Sequence, residues 1–223
     1  MSAISTSTLR FLKDLKANNN KEWFLENKQR YEDARVEFTA FVDDLIRLIA
    51  KFDPAIAHHQ AKDCVFRIYR DVRFSKDKSP YKAHLGAHIT SAESRSEIHT
   101  RAGYYLHIEP GATILAGGAY LPEGPWLKAI RQEIDYNAAG FQKLIGSKSF
   151  REYFREVQGE KLKTTPKGYD AGHPQIEWLR HKSFLAVHDC ADKQVTSADF
   201  LQHCGKVYKA LKPFDDFLNE AKG

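Results

Sequence analysis

Six cations fall within sixteen residues of this sequence. The stretch RIYRDVRFSKDKSPYK (67–82) holds Arg67, Arg70, Arg73, Lys76, Lys78 and Lys82 against two acids, Asp71 and Asp77, a net of +4. The whole chain carries +5, so most of its net charge sits in this one segment. Guanidinium groups offer a planar fork of donors that matches carboxylate or phosphate. We expect these six cations, together with Tyr81, to bind an anionic ligand. Asp71 and Asp77 have two readings. They orient the cations as hydrogen-bonded partners, or they are the acid–base groups of an enzyme whose arginines stabilise developing negative charge. A competing reading makes the cluster an Arg–Asp network that only pins a loop to a sheet, because structural ion pairs imitate functional sites. The segment has no glycine, and the phosphate-cradling pattern GxxxxGK[ST] is absent.

Histidines offer a different chemistry. In YKAHLGAHIT (81–90), Leu85, Ala87 and Ile89 alternate with His84, Gly86 and His88, and further on His107 alternates with Tyr105 and Glu109. If two strands pair with these polar faces aligned, three imidazoles and a carboxylate approach one another, a donor set that zinc accepts. The spacing matches no recognised metal motif, and alternation puts polar residues on a solvated face in any case, so no metal is expected. Ser75 lies among cations, but no GxSxG elbow surrounds it. Cys64, Cys190 and Cys204 form no CxxC pair; they sit in apolar patterns and read as inert core thiols. Gly117-Gly118 fits a strand bend or bulge better than the approach of a ligand.

Hydrophobic periodicity outlines the scaffold that must hold these groups. A first helix over Thr6–Ala17 carries Leu9, Phe11, Leu12 and Leu15, with Ser5 or Thr6 as cap. Asn19 and Glu22 resemble a capping box for a long second helix over about 20–51, whose stripe includes Phe24, Tyr31, Phe38, Phe41, Leu45 and Leu48. Strands are expected near 65–70, 84–90, 103–109, 112–119 and 183–188. Pro110-Gly111 suits the centre of a type II turn, making 103–120 a hairpin. Residues 91–101 read as an exposed loop. Shorter helices follow around Trp126–Ile134, Phe141–Ile145, Phe150–Val157 and Ile176–Arg180, with Ser147 as a cap. A last long helix from about Ser197 is expected to kink or restart at Pro213. Trp23, Trp126 and Trp178 fall at helical positions beside apolar residues and read as core rather than as stacking platforms.

The balance of 42% hydrophobic and 28% charged residues excludes a disordered chain, a collagen-like repeat and a disulfide scaffold. No apolar run approaches the roughly 20 residues of a membrane span. The opening MSAISTSTLRFLKD lacks a signal-peptide pattern, and we expect an unexported, cytoplasmic protein. With no repeat or linker visible, 1–223 reads as a single α+β domain, a central antiparallel or mixed sheet flanked by helices. The pattern specifies neither a cofactor nor an oligomeric state.

Four blocks occur in a familiar order: NNNKEWFLENKQRYE (18–32), FRIYRDVRFSKDKSPYKAHLG (66–86), GYYLHIEPGATILAGGAYLP (103–122) and PKGYDAGHPQIEWLRHKSF (166–184). Together they resemble the domain of unknown function 2461 family. Asn20, Trp23 and Phe24, the basic segment from Arg67 through Phe74 to Lys82, and Gly168, Tyr169 and Phe184 carry the likeness. His84 departs from it, standing where a small polar residue is expected, which counts against His84 as a ligand. The resemblance implies one α+β domain and supplies no activity. Function is therefore read from the residues. The lead reading is an anion site on 67–82, completed by basic or aromatic residues of 166–182, taking a phosphate-bearing ligand (a nucleotide, a phosphorylated metabolite or a nucleic-acid backbone) with or without catalysis. The alternative is a nucleic-acid-binding or protein-docking module without catalytic activity.

Overall fold

The computed structural model describes residues 3–73, 75–92 and 99–221. Phe74, and residues 93–98 of the expected loop at 91–101, lie outside the described residues. The fold is α+β. Among the described residues its sheet has four strands, β1 (Leu85–Thr90), β2 (Gly103–Ile108), β3 (Thr113–Ala119) and β4 (Phe184–Cys190), in the order β1-β2-β3-β4. The sheet is antiparallel. The turn joining β2 to β3 is built as its residues dictate: Gly111 has φ +74°, and the Ala112 N–H donates to the Glu109 carbonyl at 3.0 Å.

The helices are α1 (Thr6–Ala17), α2 (Lys21–Glu26), α3 (Lys28–Ile49), α4 (Ala61–Cys64), α5 (Gly124–Tyr136), α6 (Ala138–Ile145), α7 (Lys148–Tyr153), α8 (Ile176–Leu179), α9 (Asp192–Val195) and α10 (Phe200–Glu220). Helix α1 has the expected bounds, and its Ser5 hydroxyl accepts from the Thr8 N–H at 3.2 Å. The expected long second helix is instead two. Asn27 sits between them. Its side-chain amide donates to the Trp23 carbonyl and accepts from Arg30, a local competition with the backbone that breaks helices. The cap of α2 is Asn20 rather than Asn19: its Oδ1 accepts from the Trp23 N–H at 2.9 Å. Helix α10 continues through Pro213. Leu211, Phe214, Phe217 and Leu218 are buried on both sides of that proline, and their packing outweighs the lost backbone bond. Helix α7 stops at Tyr153, and Phe154 and Val157 are buried beyond its end.

Two compact units make up the chain. The first comprises Met1–Ile89, Tyr105–Leu115 and Asp189–Lys206. There α1 and α4 pack on α3, and Phe11, Leu12, Phe38, Phe41, Leu45 and Phe200 are essentially inaccessible. Cys64, Cys190 and Cys204 are buried, and burial pushes the Cys190 thiol up to about 12. The second comprises Thr90–Tyr104, Ala116–His188 and Val207–Gly223. There α5 packs on α6 and α8. Trp126 is 2% exposed and donates its indole N–H to the Leu218 carbonyl, whereas Trp23 and Trp178 are only half-buried. Gly118, at φ +111°, lets its backbone approach β4: a side-chain carbon there would lie 2.0 Å from the Phe184 carbonyl oxygen.

The fifth expected strand, 65–70, is not one. It makes two isolated antiparallel bridges, Val65 to Ala87 and Tyr69 to Tyr81. Between them, four steps along one side (69 − 65) face six along the other (87 − 81). The two surplus residues bulge at Lys82–His84, where the chain bends before β1. Alternation survives the distortion: Arg67 and Tyr69 are exposed, and Ile68 is buried. Strand β1 is buried along its whole length, so the expected solvated histidine face is covered at His88.

Candidate functional site

The bulge at Lys82–His84 forms one wall of a cleft of about 360 Å3, lined by Lys16, Asn19, Arg70, Asp77, Ser79, Tyr81, Lys82, Ala83 and His84. Tyr81 is its fixed point. Its ring stacks on Phe24 at 3.9 Å, and its backbone N–H and carbonyl both bond to the Asn19 amide, at 3.1 and 2.9 Å. Arg70 is joined to Asp77 by an ion pair and sits 3.5 Å from the Ser75 hydroxyl. Asp77 also accepts from the Ser79 N–H and hydroxyl, at 2.9 and 2.6 Å. Hydrogen bonds from Ser79, and then from Arg70, hold the Asp77 carboxyl well below the usual range. The Lys82 ammonium lies 5.3 Å from the centre of the Phe66 ring.

The rest of the basic segment behaves differently. Arg73 forks onto Asp71, with Nε and Nη2 at 2.9 and 2.6 Å from its two oxygens. The Arg73 side chain and backbone N–H hold Asp71 down to about 2. Both side chains of this pair are exposed. Lys78 donates to the Val72 carbonyl at 2.9 Å, closing the loop on itself. Arg67 and Lys76 are exposed. Of the residues singled out from sequence, then, Arg70, Asp77, Tyr81 and Lys82 line one cleft, while Arg67, Asp71, Arg73, Lys76 and Lys78 do not. None of the lining residues comes from 166–182. Lys16, Asn19, Ser79 and His84 also line the cleft and were not among the anion-site residues expected from sequence. Lys16 and Asn19 lie about fifty residues upstream, and no local pattern links them to the basic segment.

Beside the cleft runs a polar ladder. Tyr105, His107 and Glu109 follow one another on alternate positions at the end of β2. The Tyr105 hydroxyl lies 3.0 Å from His107 Nδ1, and His107 Nε2 lies 3.0 Å from Glu109 Oε2. Lys16 donates to Glu109 Oε1 at 2.8 Å. Burial opposes ionisation of Glu109, but the hydrogen bonds from Lys16 and His107 outweigh it and keep its carboxyl below the usual range. The His84 ring packs against His107 with centroids 4.1 Å apart. Burial, reinforced by His107, pushes His84 down to about 4. The aligned faces expected from sequence therefore bring together His84, His107 and Glu109, without His88.

The sequence profile of the family described as conserved hypothetical protein, DUF2461, matches residues 7–217. The chain belongs to this family. No curated protein and no solved structure matches it. Within this member of the DUF2461 family, the basic segment that carries the resemblance is the one that bulges beside the cleft. No helix among the described residues is long and apolar enough to cross a membrane.

Proposed function

We propose that the cleft binds a small anionic ligand of the phosphate-bearing class. One observation supports the reading: Lys16, from the first helix, joins Arg70 and Lys82 of the basic segment in lining one cleft, where Asp77 is the only lining carboxylate among the described residues. Lys16 is paired with Glu109 and Arg70 with Asp77, so three cations stand against two carboxylates, a balance that favours an anion over a neutral ligand. The volume, about 360 Å3, lies within the range of about 300–1,000 Å3 typical of small-molecule sites. Asp77 accepts from Arg70 and Ser79, an arrangement suited to aiming the guanidinium and poorly suited to taking up a proton near neutral pH. Binding, rather than acid–base chemistry at Asp71 or Asp77, is therefore the reading supported.

The test is a melting series with inorganic phosphate, nucleotides and a short oligonucleotide. Wild type should show an anion-dependent rise in Tm. Arg70→Gln and Lys82→Gln should lose it, each weakening binding by about 1.5–3 kcal/mol per lost charged hydrogen bond. Lys76→Gln, at an exposed position outside the cleft, should keep it. A rise seen only with oligonucleotide, falling steeply with salt, would favour a nucleic-acid backbone over a small ligand. No rise with any anion would defeat the reading.

A further inference from the structure

We infer that His84, His107 and Glu109 form a binding site for a divalent transition-metal ion, with zinc the best match to the donors. Each residue offers one ligand atom, and these atoms all lie within 4.8 Å of one another. His107 Nε2 and Glu109 Oε2 are already 3.0 Å apart, close to the spacing of about 3.4 Å between neighbouring ligands around tetrahedral zinc. Only His84 has to close in. Its ring already packs against that of His107, with centroids 4.1 Å apart.

The surroundings match what a ligating histidine needs. A metal-bound imidazole is oriented by a partner on its other nitrogen. Tyr105 occupies that position at His107 Nδ1, 3.0 Å away, and its hydroxyl both donates and accepts, so it serves either tautomer. Gly86 leaves room for it: a side-chain carbon at 86 would lie 3.3 Å from the Tyr105 hydroxyl. Ligating carboxylates are likewise held by hydrogen bonds, and Lys16 supplies one to the Glu109 oxygen that faces away from His107.

Two imidazoles and one carboxylate favour zinc and its first-row neighbours over magnesium or calcium, which take all-oxygen shells. Three protein ligands are also the pattern of an open site, which keeps a fourth position for water or a ligand. His84 lines the cleft, so a metal held by it stands at the cleft wall. The inference does not depend on the anion reading.

Zinc and, separately, magnesium are titrated calorimetrically into the full chain in the absence of added anions. Wild type should bind one zinc per chain and no magnesium. His84→Asn, His107→Asn and Glu109→Gln should each weaken zinc binding by about 100-fold or more, beyond the 10–100-fold typical of losing an outer partner. His58→Ala, at an exposed histidine outside the cluster, should leave it unchanged. Cobalt gives a second readout, since its visible bands intensify in tetrahedral sites and should vanish in the same three variants. His84→Asn keeps a polar side chain at that position and should melt with wild type in chelator, so it decides the matter even if another variant fails to fold. The inference is overturned if wild type binds no zinc, if His84→Asn binds it as wild type does, or if His58→Ala abolishes it. Phosphate melts run in chelator test the anion reading separately.

Discussion

The Asn19 side chain pairs with the backbone of Tyr81 as a neighbouring strand would: its Nδ2 donates to the Tyr81 carbonyl at 2.9 Å and its Oδ1 accepts from the Tyr81 N–H at 3.1 Å. The contact joins the turn between α1 and α2 to the start of the bulge that lines the cleft. Tyr81 is 5% exposed, so water does not readily replace a lost partner. Asn19→Ala should therefore cost about 1–3 kcal/mol. Urea denaturation is the check, and an unchanged midpoint would show that the pairing contributes nothing.

Arg73 and Asp71 make the opposite case. Their fork is well formed but exposed, and exposed pairs contribute little to stability. Its signature is in titration. Asp71 is held at about 2, below the value of about 3.9 in an unfolded chain. A depressed carboxylate pKa adds stability above the unfolded value, and that contribution is lost as pH falls from about 3.9 toward 2. Carboxyl NMR should show the low Asp71 midpoint in wild type and an upward return toward 3.9 in Arg73→Gln. A wild-type midpoint near 4 would mean that the fork does not persist in solution.

Phe41 is fully buried on α3 and stacks on Phe200 with centroids 5.5 Å apart. Phe41→Ala removes that ring and leaves a cavity, at a cost of about 3–5 kcal/mol. Denaturant unfolding measures it directly. A cost under 1 kcal/mol would contradict the packing.

Gly118 should not accept a side chain. Its φ of +111° disfavours any L-residue, and a Cβ would run into the Phe184 carbonyl oxygen. Gly118→Ala should lower stability by more than about 1 kcal/mol, reversing the usual small gain from replacing glycine. A Tm equal to or above that of wild type would show that the strand relaxes around the methyl group.

Local signals determined a good deal. Ser5 and the stripe of Leu9, Phe11, Leu12 and Leu15 specify α1 because capping and 3.6-residue periodicity act over a single turn. Alternation at Tyr105, His107 and Glu109 placed those three on one face because a strand repeats every two residues, and Pro110-Gly111 marked the turn that follows. The charge of 67–82 was legible, as was its pairing of arginines with aspartates. Tertiary structure decided the rest. Whether 65–70 becomes a strand depends on its partner, and the two surplus residues opposite it become visible only when Tyr69 meets Tyr81 and Val65 meets Ala87. That mismatch brings Lys82 and His84 to the cleft, leaving Arg73 and Lys78 to brace their own loop. Lys16 and Asn19 reach the same place through tertiary contacts, Lys16 with Glu109 and Asn19 with Tyr81, and sequence distance carries no record of them. His84 looked like a poor ligand beside its family pattern. Only the packing of its ring on His107, next to Glu109, gives it chemistry, because a metal site is defined by distances between atoms and not by positions along a chain.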